Sequence, residues 1–568
     1  MEILSDLMDG FAFTPEAPLT FTRVSFWGFL AVVLAGFALL ERRVALRNAF
    51  LFAVSLLFYW KTSGWFFLIL LFSTGSDWWI GQRIGQANGS ARKGWLALSL
   101  VINLLVLFYF KYAYFFADSL NPLLGTHWQP TNAFGEWANA ALGTSFRVDR
   151  ILLPVGISFY TFQTMSYAID VYRKEIEPVR NPLDFGFYVS FFPQLVAGPI
   201  VRARDFIPQL YRPYALTRAG FGMGLFWILN GLVKKVWLAD YLAVNLVDRV
   251  FSRPEAYSGF ENLLGLYAYS LQVYADFSGY TDMAIGVAIW LGFRLPQNFN
   301  APYKARNVGE FWKRWHMSLS TWLKDYLYIP MGGNRSGSLF TAITSGFILL
   351  FFALLVPDPG VLLVVAGTLC LALGAALWFP KFKRWGITNI NVMLTMLIGG
   401  LWHGASWNFV LWGGLNGLGI VVYKLWRKVS PWEGNDRWWK PVVGGLVTFH
   451  FITATRIWFR SGSKTTWESL GEGHNLLTEW FTANAMIAQL ARIAESPFLE
   501  ILAGYAPLVG LMAFGYAIHL LPDAWKERYR KAFSEASLPV QIIVAVVGIS
   551  VAWSAMQAGM QPFIYFQF

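Results

Sequence analysis

Long apolar runs recur from Val24–Leu40 to Val540–Met556, and short polar segments rich in lysine and arginine separate them. An α-helix needs about 20 mostly apolar residues to cross the hydrocarbon core of a bilayer, and many of these runs approach that length. The alternation of apolar and polar residues that marks a membrane β-barrel is absent. The pattern predicts an all-α polytopic integral membrane protein, with about eleven to thirteen transmembrane helices and a single domain over residues 1–568.

The positions of lysine and arginine orient the predicted helices. The basic segments Glu41–Arg47 and Gln82–Gly94 enclose two apolar runs, Ala49–Trp60 and Trp65–Ile80, which form a predicted hairpin around the turn Lys61–Gly64. Because loops rich in Lys and Arg stay in the cytoplasm, both basic segments are assigned to that side. Continued along the chain, the same assignment predicts that the N-terminus and the C-terminus are both extracytoplasmic.

Three segments depart from a simple membrane helix. Phe185–Ile200 contains two prolines and a glycine in its second half, which predicts a broken or re-entrant helix that is buried in protein or lines a cavity. The long run Leu263–Phe293 is expected to break at Gly279. Leu295–Asn334 carries Arg, Lys and Trp at roughly helical spacing, which predicts an amphipathic helix at the membrane interface. The predicted fold thus combines transmembrane helices with re-entrant and interfacial ones.

Composition narrows the functional classes. The chain has 568 residues, of which 56% are hydrophobic and 14% are charged, whereas soluble domains carry about 25% charged residues. The net charge of +12 resides in the loops that orient the helices, so it does not indicate nucleic-acid binding. The single cysteine, Cys370, excludes an internal disulfide. No close cluster of His, Cys and carboxylate residues predicts a metal site.

One histidine lies where ionisable residues are rare. His403 belongs to the glycine-rich and aromatic stretch Leu397–Asn408, at predicted membrane depth, where ionisable residues usually serve function because their burial is costly. The sequence has no phosphate-binding loop and no Gly-x-Ser-x-Gly turn. It therefore favours His403 as a general base for a hydroxyl, with His316 as the second candidate. The alternative role of His403 is a hydrogen bond to a neighbouring helix.

Asp276 and Asp282 lie in the predominantly apolar segment Tyr274–Asp282. Two carboxylates at membrane depth need polar partners or water. They either line a reaction chamber or join helices through a polar packing network, and both roles stay open.

Two segments that contain these histidines resemble the membrane-bound O-acyltransferase family. One is Phe311–Pro330, with the sequence Phe-Trp-Lys-Arg-Trp-His-Met-Ser-Leu-Ser-Thr-Trp-Leu-Lys-Asp-Tyr-Leu-Tyr-Ile-Pro, and the other is Gly400–Trp407, with the sequence Gly-Leu-Trp-His-Gly-Ala-Ser-Trp. The resemblance covers roughly residues 40–425 and is closest to the bacterial branch that acetylates polysaccharides such as alginate. Three shorter segments also match that branch: Pro154–Phe159, Phe192–Pro199 and Asp276–Tyr280.

The resemblance implies an O-acyltransferase built around a central tunnel, in which His403 is the catalytic histidine and His316 lies on the cytoplasmic approach. Residues 426–556 then add C-terminal spans to the catalytic core. The side chains expected to bind substrate or donor are Trp402, Asn408, Asp276, Ser278, Trp315, Lys313 and Arg314.

The resemblance also implies the other participants in the reaction. The donor is expected to be a cytoplasmic thioester, either acetyl-CoA or an acyl carrier protein, with no tightly bound cofactor. The acceptor is expected outside a bacterial cytoplasmic (inner) membrane, where partner acetyltransferases receive the acyl group for an exported or cell-envelope polysaccharide. D-alanyl or longer acyl transfer to another envelope polymer is the alternative within the enzyme class. A transporter or flippase is the alternative outside it.

Residues 337–385 form a predicted apolar hairpin between the two histidine motifs, where a shorter link is expected for this family. Two added spans preserve the sidedness of the chain, so His403 stays on the same side of the membrane.

The predicted extracytoplasmic tail, residues 557–568, ends in Gln561–Phe568 and contains Tyr565. This ending resembles a terminal tyrosine motif that some of these acyltransferases, or a small partner, carry. There the tyrosine is proposed to hold the acyl group transiently, which makes Tyr565 a candidate acyl relay. The alternative role is an aromatic anchor at the membrane interface.

Overall fold

The computed structural model describes residues 18–144, 148–149, 151–346, 380–431, 437–463 and 481–556. The described residues form α-helices, short 3₁₀ and π-helical turns and loops, with no β-strand among them. The all-α prediction is therefore confirmed for this part of the chain, and the long apolar helices in it are those of a polytopic membrane protein.

The helices of the first part are α1 (Val24–Leu40), α2 (Val44–Ser63), α3 (Phe67–Gln86), α4 (Gly89–Leu107), α5 (Ala113–Leu124), α6 (Ala133–Leu142) and α7 (Ile157–Arg173). The predicted hairpin is formed by α2 and α3, but its turn starts later than expected. Lys61 remains inside α2, and the chain turns at Gly64, which adopts a positive φ of 59° that favours glycine.

Hydrogen bonds to one short segment show that the start of α2 and the end of α3 lie on the same side of the protein. Asn48 near the start of α2 donates to the Asp184 carboxylate at 3.0 Å, and Gln82 near the end of α3 donates to the Val179 carbonyl at 2.8 Å. Because Val179 and Asp184 belong to one short segment, the two helices run antiparallel, as the charge pattern predicts.

The helices of the middle part are α8 (Pro182–Ser190), α9 (Phe192–Leu195), α10 (Ala203–Leu210), α11 (Arg218–Val233), α12 (Asp248–Ser252), α13 (Gly259–Trp290), α14 (Val308–Arg314) and α15 (Met317–Leu323). The broken helix predicted at Phe185–Ile200 is confirmed. It divides at Phe191 into α8 and α9, and every residue from Phe185 to Ile200 is buried. Irregular backbone is tolerated here because protein surrounds it on all sides.

The break predicted at Gly279 is wrong, because α13 runs unbroken through that residue. Gly279 instead allows α13 to approach α11. A Cβ atom placed on Gly279 would lie 2.7 Å from the Gly231 carbonyl oxygen. The glycine therefore serves close helix packing, which is a frequent use of small residues between membrane helices.

Replacing Gly279 by alanine is expected to destabilise the protein by about 1–3 kcal/mol, since the added methyl group can only be accommodated by separating two backbones. The loss is measured as a fall in melting temperature of the detergent-purified protein. Gly75→Ala is the matched control, because a Cβ on Gly75 meets no atom within 4 Å. Equal melting temperatures for the two variants would contradict the packing role of Gly279.

Leu295–Asn334 forms two short helices, α14 and α15, rather than the single amphipathic helix expected from its spacing. The chain reverses between them at His316, whose φ is +42°. A 3₁₀ turn at Pro302–Lys304 precedes them and a π-helical turn at Lys324–Tyr328 follows. Periodicity alone did not reveal this reversal, because the left-handed residue is fixed by contacts with distant parts of the chain.

The last helices are α16 (Pro380–His403), α17 (Trp407–Val429), α18 (Trp439–Ser463), α19 (Phe481–Ala491), α20 (Phe498–Gly504), α21 (Ala506–Leu520), α22 (Asp523–Glu535) and α23 (Leu538–Met556). The span predicted at Ile501–Leu521 is divided at Tyr505, where α20 and α21 meet at 83°. Pro507 lies in the first turn of α21, a position that tolerates proline, whereas the interior of a continuous helix does not.

Four helical segments of the described residues are long and apolar enough to cross a membrane: Val44–Gln86, which comprises α2 and α3, Gly89–Asn121, Trp407–Val429 and Trp439–Gly462. Counting each of two bent helix pairs as one span raises the number to six. The larger number of about eleven to thirteen spans stays a prediction. Most of the predicted 337–385 hairpin, residues 347–379, and the tail with Tyr565 lie outside the described residues.

Candidate active site

His316 and His403 meet in the interior of the helical bundle. His403 is the last residue of α16, and His316 lies between α14 and α15. Their ring centroids are 6.2 Å apart, and both side chains are buried. We expected His316 on the cytoplasmic approach to the tunnel, but it is fully enclosed and packs beside His403. The family resemblance implied that position, but the reversal at residue 316 turns the imidazole inward.

A short network around Asn298 holds His316 in its left-handed conformation. The Met317 N–H donates to the Asn298 carbonyl at 2.9 Å, and the Ser318 hydroxyl donates to the Asn298 side-chain oxygen at 2.6 Å. A positive φ in a non-glycine residue is unfavourable unless its surroundings fix it. Sequence reasoning missed Asn298, although the polar run Pro296–Asn300 marks a turn at this point.

Lys111 fixes the end of the helix that carries His403. It belongs to a π-helical turn, Phe108–Tyr112, between α4 and α5. Its ammonium group donates to the Trp402 carbonyl at 2.6 Å and lies 3.4 Å from the His403 carbonyl, while the Tyr112 hydroxyl donates to the Leu401 carbonyl at 3.0 Å. The carbonyls at a helix C-terminus have no intrahelical partner, and a cation there also opposes the negative end of the helix dipole.

Lys111 is a second residue that sequence reasoning missed. The sequence contains a sign of its importance, because Lys111 is a single lysine inside the apolar run Trp95–Phe116. A cation at membrane depth is rare and usually has a polar partner or a function.

Aromatic side chains surround the two histidines. The His403 ring lies 5.1 Å from the rings of Trp402 and Trp412 and 5.5 Å from Phe459, all measured between centroids. The His316 ring lies 4.6 Å from Phe277, edge to face. Aromatic edges and faces bury these imidazoles without competing for their nitrogen atoms. The two imidazoles therefore lie in a compact site lined mainly by aromatic side chains, which we call the histidine chamber.

Close packing of α16 on α17 places this chamber. Cβ atoms on Gly400 and Gly413 would overlap the Phe409 and Met396 carbonyl oxygens, respectively. The absence of side chains at both glycines lets the two helices approach. Trp412 and His403 are consequently brought into direct contact.

Of the other predicted binding residues, Trp402 and Trp315 lie beside the chamber. Trp402 lies 5.7 Å from the His316 ring, and Trp315 precedes His316 in the chain and is buried. Asn408 is buried in the first turn of α17, where its N–H donates to the Ser406 hydroxyl at 3.2 Å. A role of these three side chains in binding stays a prediction.

Asp276 and Ser278 flank Phe277, the residue that packs on His316. The Asp276 carboxylate forms a buried ion pair with Lys235 at 2.5 Å, and Lys235 also pairs with Asp240 at 2.7 Å. A second pair, Lys234 with Asp282 at 2.7 Å, joins the same two parts of the chain. The carboxylates therefore take part in the polar packing network between α13 and the π-helical turn Lys234–Asp240, which was one of the two roles left open.

Lys313 and Arg314 lie apart from the histidine chamber, near the protein surface. Lys313 is exposed, and Arg314 pairs with Glu310 at 2.9 Å. Burial acts to raise the pKa of the Glu310 carboxyl, but hydrogen bonds from the Arg306 N–H and the Arg314 side chain outweigh it, so this pKa lies below its ordinary value. Nearby, Lys304 pairs with Asp523 at 2.8 Å. Much of the basic charge predicted to receive the donor is therefore neutralised by ion pairs.

The two histidines of the chamber are suited to proton transfer. In the described ranges, no group of three or more His, Cys, Asp and Glu side chains is arranged to hold a metal ion. Two imidazoles within one aromatic enclosure can accept a proton from a hydroxyl and return it to a leaving group.

Known proteins resemble this chain over most of its length. The model of the membrane-bound O-acyltransferase family matches residues 94–355. The chain is 39% identical to the probable alginate O-acetylase of Azotobacter vinelandii over 67% of its own length. The match spans 64% of that relative, which is just under two thirds of its length. It is 37% identical to the probable alginate O-acetylase of Pseudomonas aeruginosa over 76% of its own length and 70% of that protein. It is 31% identical to the peptidoglycan O-acetyltransferase of Helicobacter pylori over 78% and 76%, respectively. The chain belongs to the membrane-bound O-acyltransferase family, as its two histidine motifs indicated.

Proposed function

We propose that this chain transfers an acetyl group from a cytoplasmic thioester towards an extracytoplasmic polysaccharide. The observation that carries the proposal is the meeting of His316 and His403 in one buried aromatic chamber, each on a segment that resembles a family motif. The three relatives are named for acetyl transfer to alginate or peptidoglycan. This favours acetyl over a D-alanyl or longer acyl group, and covalent transfer over transport.

In the proposed reaction His403 is the general base. It accepts the proton of an attacking hydroxyl while the hydroxyl oxygen forms a bond to the thioester carbonyl carbon. The carbonyl electron pair moves to oxygen and then returns, which breaks the carbon–sulfur bond. The protonated imidazole gives its proton to the departing thiolate, so the products are an oxygen ester and a thiol. Apolar surroundings favour the neutral imidazole that this role requires.

The donor and the direction of transfer complete the proposal. Acetyl-CoA or an acyl carrier protein presents the thioester from the cytoplasm, and exposed Lys313 contributes positive charge for its phosphates or for an acidic carrier surface. The protein lies in the bacterial cytoplasmic membrane with both termini extracytoplasmic, and partner acetyltransferases take up the acyl group outside. No resident cofactor is needed for this chemistry.

Tyr565 is the proposed acceptor that carries the acetyl group outward. A tail of residues 557–568 reaches about 40 Å when extended, which is enough to enter an outer vestibule. Attack by its phenol oxygen on the thioester gives an acetyl ester on the outer side of the chamber. The alternative is that the tail only anchors the last helix at the interface.

The test of this function is acetyl labelling of the full-length protein in proteoliposomes supplied with radiolabelled acetyl-CoA. We expect label on Tyr565, identified by mass spectrometry of the C-terminal peptide, and none on the Tyr565→Phe variant. The phenylalanine keeps the aromatic ring and removes only the nucleophilic oxygen.

The control is Tyr529→Phe, which changes a partly exposed tyrosine on α22 and should leave the label unchanged. Undiminished labelling and acetyl transfer in Tyr565→Phe would remove the relay. Absence of any thioester-dependent transfer in the wild-type protein, tested with both acetyl-CoA and an acetylated carrier protein, would overturn the proposed function.

A further inference from the structure

Arg456 is a buried cation that has no anionic partner among the described residues. It lies on α18, and its side chain is 1% exposed. In the described part of the chain, Nε, Nη1 and Nη2 have no acceptor in hydrogen-bonding geometry. The Tyr303 hydroxyl lies beside this guanidinium and donates its own proton to the Ser270 carbonyl, which leaves its oxygen free to accept from Arg456 at close approach. A neutral phenol nevertheless does not balance a full charge. Burial of an uncompensated charge is strongly unfavourable.

Three other buried cations of the described residues have carboxylate partners. Lys235 pairs with two carboxylates, Arg202 pairs with Asp325 at 2.7 Å, and Arg460, one turn after Arg456, pairs with Asp248. Arg456 is thus an exception within its own helix. A buried charge of this kind is expected at a site where an anion binds or forms during function. The guanidinium then gains the anionic partner that the described residues do not supply.

The position of Arg456 connects it to the histidine chamber. Its guanidinium carbon lies 4.3 Å from the centroid of the Trp315 ring, next to His316 in the chain. It also lies 5.5 Å from the Phe459 ring, and the His403 ring packs on Phe459 at the same centroid distance. One phenylalanine therefore contacts both the proposed base and the guanidinium. Stacking on Trp315 also fixes the plane of the guanidinium before any ligand binds.

We propose that Arg456 is a catalytic residue of the acyl transfer, and that its guanidinium donates hydrogen bonds to the oxygen of the thioester carbonyl as that oxygen becomes negative. The proposal rests on the proposed function. When the hydroxyl oxygen bonds to the carbonyl carbon, its proton passes to His403 and the carbonyl electron pair becomes an alkoxide beside Arg456. When the alkoxide collapses, the thiolate leaves and takes the proton from His403, and Arg456 is again without an anion.

The chamber favours this transient anion over a permanent one. A donor phosphate lies at the far end of the flexible arm that ends in the thioester, so it does not reach the side chains around His403 when the thioester does. Fixed donors in a water-poor site stabilise developing charge without reorganising during the reaction. An arginine held in place by Trp315, and not by a carboxylate, meets that requirement.

The experiment compares Arg456→Gln and Arg456→Lys with the wild-type enzyme in proteoliposomes, with acetyl-CoA as donor. Removing one such donor group costs about 10²–10³-fold in rate, so Arg456→Gln is expected to lower kcat by that factor with little change in KM. Arg456→Lys should recover part of the loss, because an ammonium keeps the charge but not the planar pair of donors. Melting temperature is expected to stay the same or rise in Arg456→Gln, since an unpaired buried charge is removed.

Arg460→Gln is the matched control on the same helix. It breaks an ion pair with Asp248, so it should lower the melting temperature while the folded fraction retains wild-type kcat. For Arg456→Gln, an unchanged kcat with a raised KM would assign Arg456 to a ground-state anion of the substrate and overturn the proposal. Unchanged kcat and KM would overturn it too, as would a lost activity explained by a lower melting temperature. Absence of transfer by the wild-type enzyme would instead overturn the proposed function, and the inference with it.

Discussion

Replacement of His403 by asparagine is expected to reduce acetyl transfer about 10²–10⁴-fold, which is the usual contribution of a positioned general base. Asparagine is polar and fits the space of the imidazole, but it cannot accept a proton at neutral pH. His316 lies 6.2 Å away between ring centroids and is held by the Asn298 network, so it does not take over the proton. The rate is measured as acetyl-CoA consumed by the enzyme in proteoliposomes.

His450→Asn is the matched control, because His450 is exposed and its Nδ1 lies 2.7 Å from the Leu446 carbonyl of its own helix. Its rate should equal that of the wild type. A His403→Asn enzyme with the full rate would contradict the role of His403 as base. An enzyme that lost activity together with its thermal transition would point to a packing role.

Replacement of Lys235 by methionine is expected to destabilise the protein by about 3–5 kcal/mol, the cost of leaving buried carboxylates without their cation. The Lys235 ammonium lies 2.7 Å from Asp240 and 2.5 Å from Asp276, and all three side chains are buried. The loss is measured as a fall in the melting temperature of the detergent-purified protein.

Two further variants give this prediction its controls. Lys531→Met removes an exposed lysine that pairs with Glu535 at 3.9 Å, and such pairs contribute little. Adding Asp276→Asn and Asp240→Asn to Lys235→Met should restore part of the stability, because the uncompensated carboxylates are gone. If Lys235→Met melted like the wild type, the buried network would not be a stabilising element, and Asp276 would regain its other role as a chamber residue.

Hydrophobic periodicity predicted the helices well where a helix is long and its surroundings are apolar. Val24–Leu40 has the predicted bounds, and the broken helix at Phe185–Ile200 was evident from its prolines and glycine. The two histidines that the fold brings together are those of the family motifs. Periodicity could not predict their distance, since it depends on the left-handed reversal at His316, which Asn298 fixes from outside the motif.

Errors arose where one residue type has two physical uses. Gly279 was expected to break a helix, but its missing side chain allows a close helix crossing instead. Lys111 and Arg456 each lie among mainly apolar residues, and neither was identified from the sequence. Only the tertiary structure distinguishes a cation that donates to backbone carbonyls, such as Lys111, from one whose nitrogens have no acceptor in hydrogen-bonding geometry among the described residues, such as Arg456.

The π-helical turn Phe108–Tyr112 makes the chamber sensitive to chain length as well as to side-chain identity. A π-helical turn inserts one residue into an α-helix, and such insertions are frequent at functional sites. Deletion of a single residue there would restore regular α-helical register and rotate the side chains on one side of the deletion by about 100° relative to those on the other. Lys111, which donates to the end of α16, lies within this turn. A change of one residue in length would therefore disturb the His403 end more than most substitutions in the same helix.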